Sequence, residues 1–187
     1  MPLRKRRRGT EMGAYSKPEI SRLIAVGKDK SLSTKERGDA LESLVCYLLQ
    51  GIPGVLTRTN GIDPFRGSEI DISVANAQTG MWMNVLPSLF LVECKNWDAP
   101  VDVKAVGAFI LKLHEKGVEL GVMVAANGVT GNQDNLTAAY MKINLAQQAG
   151  RRVLVVTLDD LKALGHSEEF SKLLCERMLE CVAAGRF

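Results

Sequence analysis

The second half of the chain alternates near-continuous apolar strands with helical segments, and this pattern limits the fold more than any other feature. "VELGVMVAANG" and "RRVLVVTLDD" have the composition of buried strands, and they follow "PVDVKAVGAFILKLHEKG" and "NQDNLTAAYMKINLAQQAG", which read as helices. Apolar strands joined through helices are typical of parallel pairing in a sheet that is covered on both faces. The second half therefore predicts the parallel part of a covered sheet.

The first half predicts a helix followed by antiparallel strands. In "STKERGDALESLVCYLLQG", Ser33 and Glu36 have the spacing of a capping box, and Gly51 is placed to stop the helix as its C′ residue. The segments "GVLTRTNG", "GSEIDISVANAQTG" and "SLFLVECKNW" follow as three strands of a meander. The two halves together predict an α/β fold with a mixed central sheet, an antiparallel meander plus parallel strands, flanked by helices.

Charged residues stand at the end of the apolar strand "SLFLVECKNW". Alternation puts Val92 and Cys94 on the core face, and it lets Glu93 and Lys95 emerge together on the other face. If "GSEIDISVA" is the antiparallel neighbour, Asp71 shares the face of Glu93 and Lys95. The sequence therefore predicts a cluster of charge at one end of the sheet.

The preceding helix adds a third carboxylate, because Glu42 lies at the margin of its apolar stripe and can point toward the sheet. Converging carboxylates raise one another's pKa unless a cation is present. Oxygen ligands of this kind suit Mg²⁺ or Mn²⁺. An ammonium such as that of Lys95 can hold or help activate a metal-bound water and stabilise charge on a phosphate. The cluster predicts metal-dependent chemistry on a phosphate.

The motifs "GSEIDISVA" and "FLVECKNW" resemble the Asp and Glu-x-Lys elements of the PD-(D/E)xK nucleases, in particular the restriction-endonuclease-like group with the Mrr catalytic domain. "RGDALESLV" is similar to the Gly-x-x-x-Glu helix of those domains, and "GVMVAANGVTGN" and "RRVLVVTLDDL" to their later strands, so the likeness spans about residues 33 to 164. One departure is Ile70, which precedes the Asp where the nominal pattern has proline.

This resemblance implies a divalent-metal-dependent DNA endonuclease of restriction or defence. It implies that Asp71 and Glu93 bind Mg²⁺, with Mn²⁺ substituting and the Cys94 main-chain carbonyl as a further ligand, that Lys95 assists catalysis and that Glu42 supports the metal or its water. The first 33 residues leave no room for the winged-helix DNA-reading domain that precedes the catalytic part of Mrr-type enzymes. A separate DNA-recognition or defence-system protein is therefore a candidate partner.

Two alternatives stay open at this point. A Holliday-junction resolvase uses similar carboxylates in a compact dimer, and the apolar "MWMNV" segment favours a homodimer contact here as well. A non-catalytic nucleic-acid-binding module could retain the fold, although such a module has no reason to keep a costly charge cluster.

We expect three regions along the chain: a basic, disordered tail over residues 1–15, a short helix and linker over 16–32, and a single nuclease-like domain over 33–187. The net charge of +3 comes from 24 basic and 21 acidic residues, and "RKRRR" contributes +5 of it, which leaves 19 basic and 21 acidic residues, or −2. The tail would attract phosphate without reading sequence, and a solubilising tail or a cloning remnant explains it equally well.

Composition also limits the location of the protein. No apolar run approaches the roughly 20 residues of a membrane span, and no apolar segment follows the basic N-terminus as in a secretory signal. The four cysteines form no CxxC pair, so we interpret them as reduced, mostly buried thiols. These features favour a cytoplasmic protein without a membrane anchor.

Other polar residues have ordinary explanations beside functional ones. Asn96 and Trp97 can border a DNA groove or cap the core, and Arg58 and Arg66 can contact phosphate or simply face solvent. Both histidines, His114 and His166, are interpreted as structural or exposed.

Overall fold

A five-stranded mixed sheet organises the part of the chain that the computed structural model describes, which is residues 13–62, 69–132 and 137–184. The strands are β1 (Val55–Ile62), β2 (Glu69–Asn76), β3 (Leu89–Lys95), β4 (Leu120–Ala125) and β5 (Arg152–Thr157), and they lie in this order across the sheet. The pairs β1–β2 and β2–β3 are antiparallel, whereas β3–β4 and β4–β5 are parallel. The predicted mixed sheet of an antiparallel meander and parallel strands is confirmed.

Helices precede, separate and follow the strands. They are α1 (Lys17–Lys28), α2 (Thr34–Gln50), α3 (Val103–Glu115), α4 (Ala139–Gln148), α5 (Leu158–Ala163) and α6 (Ser167–Ala184), and a 3₁₀ turn occupies Met83–Val85. Among these described helices, none has both the length and the apolar character that a membrane crossing requires.

The start of α2 forms as its sequence predicts, and its end differs in detail. Ser33 accepts a hydrogen bond from the Glu36 N–H, and the Glu36 side chain accepts one from the Ser33 N–H, so the capping box is present. The prediction that Gly51 is the C′ residue is wrong, because Gly51 is the C-cap and has a right-handed φ of −71°. The left-handed φ of +78° belongs to Gly54, which leads into β1.

The helices α2 and α3 lie on opposite faces of the sheet. Gln50 at the end of α2 donates to Thr57 Oγ1 at 2.8 Å, and Thr57 pairs with Val74, so α2 covers the face that carries Val74. On the other face α3 approaches β4 closely, since a Cβ added at Gly121 would lie 2.6 Å from the Phe109 ring. The small residue on β4 therefore sets how deeply α3 settles onto the sheet.

The N-terminal region packs onto α2. Ile20, Leu23 and Ile24 of α1 are buried, and this helix lies within the 16–32 segment for which a short helix is predicted. Residues 13–15, assigned above to the disordered tail, belong to the folded part, because Ala14 bridges His166 and the buried Tyr15 donates to the Leu48 carbonyl at 2.6 Å. Residues 1–12, including the basic run, lie outside the described residues.

Candidate metal site at the end of β3

The predicted site lies where β2 and β3 part from each other. Their ladder ends at the pair Ile72 and Val92, and continuing this register places Asp71 opposite Glu93 on one face of the sheet. At this point the Cys94 N–H donates to Asp71 Oδ2 at 2.7 Å, so a carboxylate takes the hydrogen bond that a strand carbonyl would otherwise accept. The structure therefore brings Asp71 to the end of β3.

Glu93 and Lys95 form an ion pair that joins this site. Lys95 Nζ donates to Glu93 Oε1 at 2.7 Å. Alternation predicted the face of Glu93 but not its burial: the residue is only 5% exposed, because β3 is an internal strand covered on both faces. The Glu93 carboxylate lies beneath its ammonium partners, while Lys95 remains partly accessible.

A second lysine contacts Glu93, and the sequence analysis missed it. Lys112 of α3 donates from Nζ to Glu93 Oε1 at 3.0 Å and to Oε2 at 2.8 Å. Its side chain is 19% exposed. The only signal in the sequence is a lysine inside the apolar run "FILKLH", and such a lysine more often extends along the helix surface to solvent.

The electrostatic state of the site follows from burial and these contacts. Burial, together with the neighbouring Glu93 carboxylate, raises the pKa of Asp71, while the Cys94 N–H and the two lysines oppose the rise. Burial lowers the pKa of Lys95, but the carboxylates of Glu93 and Asp71 outweigh it and leave the pKa above its ordinary value. Lys95 is therefore an ammonium group at neutral pH and acts as a cation.

Glu42 approaches from α2. Burial and then the charges of Asp71, Asp39 and Glu69 raise its pKa from 4.5 to about 7. Within the described residues, no hydrogen bond to the Glu42 carboxylate is present, in contrast to the carboxylates of Asp71 and Glu93. Negative charge thus accumulates between α2 and the start of β2, and among the described residues Lys35 offsets it only in part.

Carboxylate and carbonyl oxygens are the donors that suit a hard divalent cation. Asp71, Glu93 and Glu42 could offer carboxylate oxygens, and the Cys94 carbonyl faces the same strand edge as its N–H, which is the edge of Asp71. Over residues 13–62, 69–132 and 137–184, no group of three or more His, Cys, Asp or Glu side chains is close enough to hold an ion by itself. Water and a substrate phosphate would have to complete the coordination, as is usual for Mg²⁺.

The residues after Lys95 connect the site to a polar cleft. Asn96 Nδ2 donates to the carbonyls of Gly27 and Arg37, both at 2.8 Å, so this side chain joins α1 and α2 to the end of β3. Trp97 is 39% exposed and lines a cleft of about 480 Å³ that also contains Lys28 and other basic side chains. Asn96 thus has a structural role at the edge of this cleft, and the DNA contact of Trp97 stays a prediction.

The remaining candidates, apart from Arg66, lie within the described residues. Arg58 is exposed on β1, and Arg66 lies outside the described residues. The exposed His114 projects from α3, and His166 accepts a hydrogen bond from the Glu168 N–H near α6. In "MWMNV" Met83 is buried, whereas Met81 and Val85 are exposed, and the dimer contact predicted for this segment stays a prediction.

Comparison with known proteins agrees with this geometry. The model of the Mrr catalytic-domain family, described as restriction endonuclease, matches residues 34–162, which are 129 of the 187 residues. The matched range contains Glu42, Asp71, Glu93 and Lys95, and also Lys112. No curated protein matches the chain.

Proposed function

The chain belongs to the Mrr-type restriction endonuclease family, and from this premise we propose that it is a divalent-metal-dependent endonuclease that hydrolyses DNA phosphodiester bonds. The observation that carries the proposal is the junction of β2 and β3, where the Asp71 carboxylate is fixed by the Cys94 N–H beside the Glu93–Lys95 pair. A cluster of this kind is costly for a fold, because its charges are partly or fully desolvated, and such clusters are concentrated at functional sites.

The proposed metal is Mg²⁺, with Mn²⁺ able to replace it. Asp71 and Glu93 would hold it, with the Cys94 carbonyl as a further ligand and Glu42 supporting it or its water. When bound, a divalent ion of this kind lowers the pKa of a coordinated water and offsets charge on the phosphate and the leaving oxygen. The hydrogen bond from Cys94 orients the Asp71 carboxylate before any ligand arrives.

The other groups would act on the nucleophile and the phosphate. Lys95, an ammonium paired with Glu93, can orient a water and stabilise the charge that develops on a phosphate oxygen. Glu42, whose pKa is raised to about 7, is able to accept a proton from that water near neutral pH. The exposed Trp97 and the basic side chains of the adjoining cleft would contact the DNA on one side of the cut.

A cleavage assay tests this function. The full chain is incubated with supercoiled, linear, methylated and branched DNA in Mg²⁺, Mn²⁺ or EDTA, beside Asp71→Asn, Lys95→Met and the control Lys104→Met, which removes an exposed lysine of α3. We expect cutting that requires the metal, survives in the control and falls by about 10²-fold or more in the two site variants. The proposal is contradicted if no substrate shows metal-dependent cutting, or if both site variants cut DNA as well as wild type does.

The same assay separates the biological settings. Cutting of linear or supercoiled duplex, with or without dependence on methylation, supports a role in restriction or defence in the cytoplasm, where a partner protein would supply sequence recognition. Preference for branched DNA supports a junction resolvase, which would act as a homodimer. DNA binding without cutting would identify a non-catalytic module.

A further inference from the structure

Two lysines from different elements share one buried carboxylate. Lys95 contacts Oε1 of Glu93 at 2.7 Å, while Lys112 contacts both oxygens, at 3.0 and 2.8 Å. One ammonium would be enough to pair the charge of Glu93. The second contact engages the same carboxylate oxygens that a metal ion would need.

Two positive charges already stand at the Glu93 carboxylate. The ammonium groups of Lys95 and Lys112 are at hydrogen-bond distance from its oxygens, and the carboxylates of Asp71 and Glu42 are the other charges of the site. A divalent ion that bound Glu93 would bring two more positive charges beside these ammonium groups. Like charges placed in a partly buried site repel strongly, since water screens them less than at the surface.

On the basis of the function proposed above, we propose that Lys112 is a positioning residue that holds Glu93 in the metal-free site and competes with the divalent ion for its carboxylate. Lys112 projects from α3, whereas Glu93 and Lys95 share β3. The Lys112 ammonium can therefore leave Glu93 by a rotation of its side chain, without a change in the strand. Metal binding has to displace this contact, which weakens the affinity of the site for the ion.

Calorimetric titration of the full chain with Mn²⁺, without DNA, tests the inference. The proteins are wild type, Lys112→Met, Lys112→Gln and the control Lys104→Met, which removes one positive charge from the same helix at an exposed position. We expect both Lys112 variants to bind Mn²⁺ about tenfold more tightly than wild type, and the control to bind it as wild type does. Lys112→Gln keeps a hydrogen-bond donor near Glu93 and serves if Lys112→Met does not fold.

A second readout separates competition from a purely structural role. Without metal, we expect the Lys112 variants to melt at a lower temperature than wild type. On addition of Mn²⁺, we expect their melting temperature to rise by more than that of wild type. A lower melting temperature with unchanged or weaker Mn²⁺ affinity overturns the inference and leaves Lys112 as a stabilising partner of Glu93. Absence of Mn²⁺ binding in all four proteins contradicts the proposed metal dependence itself, so the two failures are distinguishable.

Discussion

Replacing Glu42 by glutamine should stabilise the protein at high pH and leave its stability almost unchanged at low pH. The carboxyl has a raised pKa in the folded state, from 4.5 to about 7, because it is partly buried and faces Asp71, Asp39 and Glu69. Ionised Glu42 therefore opposes folding. Glutamine has the same shape without the charge, so it removes this cost wherever the wild-type carboxylate is ionised.

The magnitude follows from the pKa. A rise from 4.5 to about 7 corresponds to about 3.4 kcal/mol at about 1.36 kcal/mol per pKa unit. Glu42 is partly exposed, and screening by solvent reduces the expected effect to about 1 to 2 kcal/mol. Below pH 4.5 the carboxyl is protonated in both states and costs nothing. Between pH 4.5 and 7 wild-type stability falls as pH rises, and above pH 7 the full cost is present.

Urea unfolding in EDTA at pH 4.5 and pH 8.5 measures the effect. We expect Glu42→Gln to exceed wild type by about 1 to 2 kcal/mol in the free energy of unfolding at pH 8.5 and to match it within about 0.5 kcal/mol at pH 4.5. The matched control is Glu119→Gln, which removes a carboxylate from an exposed position and should change little at either pH. An equal gain at both pH values, or a loss at pH 8.5, would refute the reasoning.

Three further changes test the fold by urea unfolding. Gly121→Ala should lower the free energy of unfolding by about 1 to 3 kcal/mol, because its methyl group would lie 2.6 Å from the Phe109 ring; an unchanged value would mean that α3 shifts freely. Tyr15→Phe should cost about 1 kcal/mol by removing the hydrogen bond to the Leu48 carbonyl, and a neutral result would show that this bond adds nothing. Ser33→Ala should cost about 1 kcal/mol through loss of the α2 cap, while Ser33→Gly should cost only a few tenths.

Much of the fold was predictable because its signals are local. The period of two in β2 and β3, together with antiparallel pairing, is enough to put Asp71 and Glu93 on one face, and the observed register agrees. The capping box of α2 was readable for the same reason, since Ser33 and Glu36 lie within one turn.

The missed features depend on tertiary packing. Lys112 reaches Glu93 only because α3 settles onto β4 at Gly121, and no helical pattern states which strand a helix will cover. The burial of Glu93 was missed because alternation along β3 predicts a side chain's face and not what covers that face. The structure places Glu42 near Asp71 through the packing of α2, while its role at the site stays a proposal.

The hydrogen bond that the Asn96 side chain donates to Gly27 bears on where the folded unit of this protein begins. The family match starts at residue 34, yet Asn96, directly after Lys95, donates to the Gly27 carbonyl at the end of α1. An excised fragment that follows the family boundary would delete this acceptor and expose the apolar surface that α1 covers on α2. We therefore expect the smallest unit that folds by itself to be longer than the family match, so an inactive fragment of 34–162 would say nothing about the activity of the full chain.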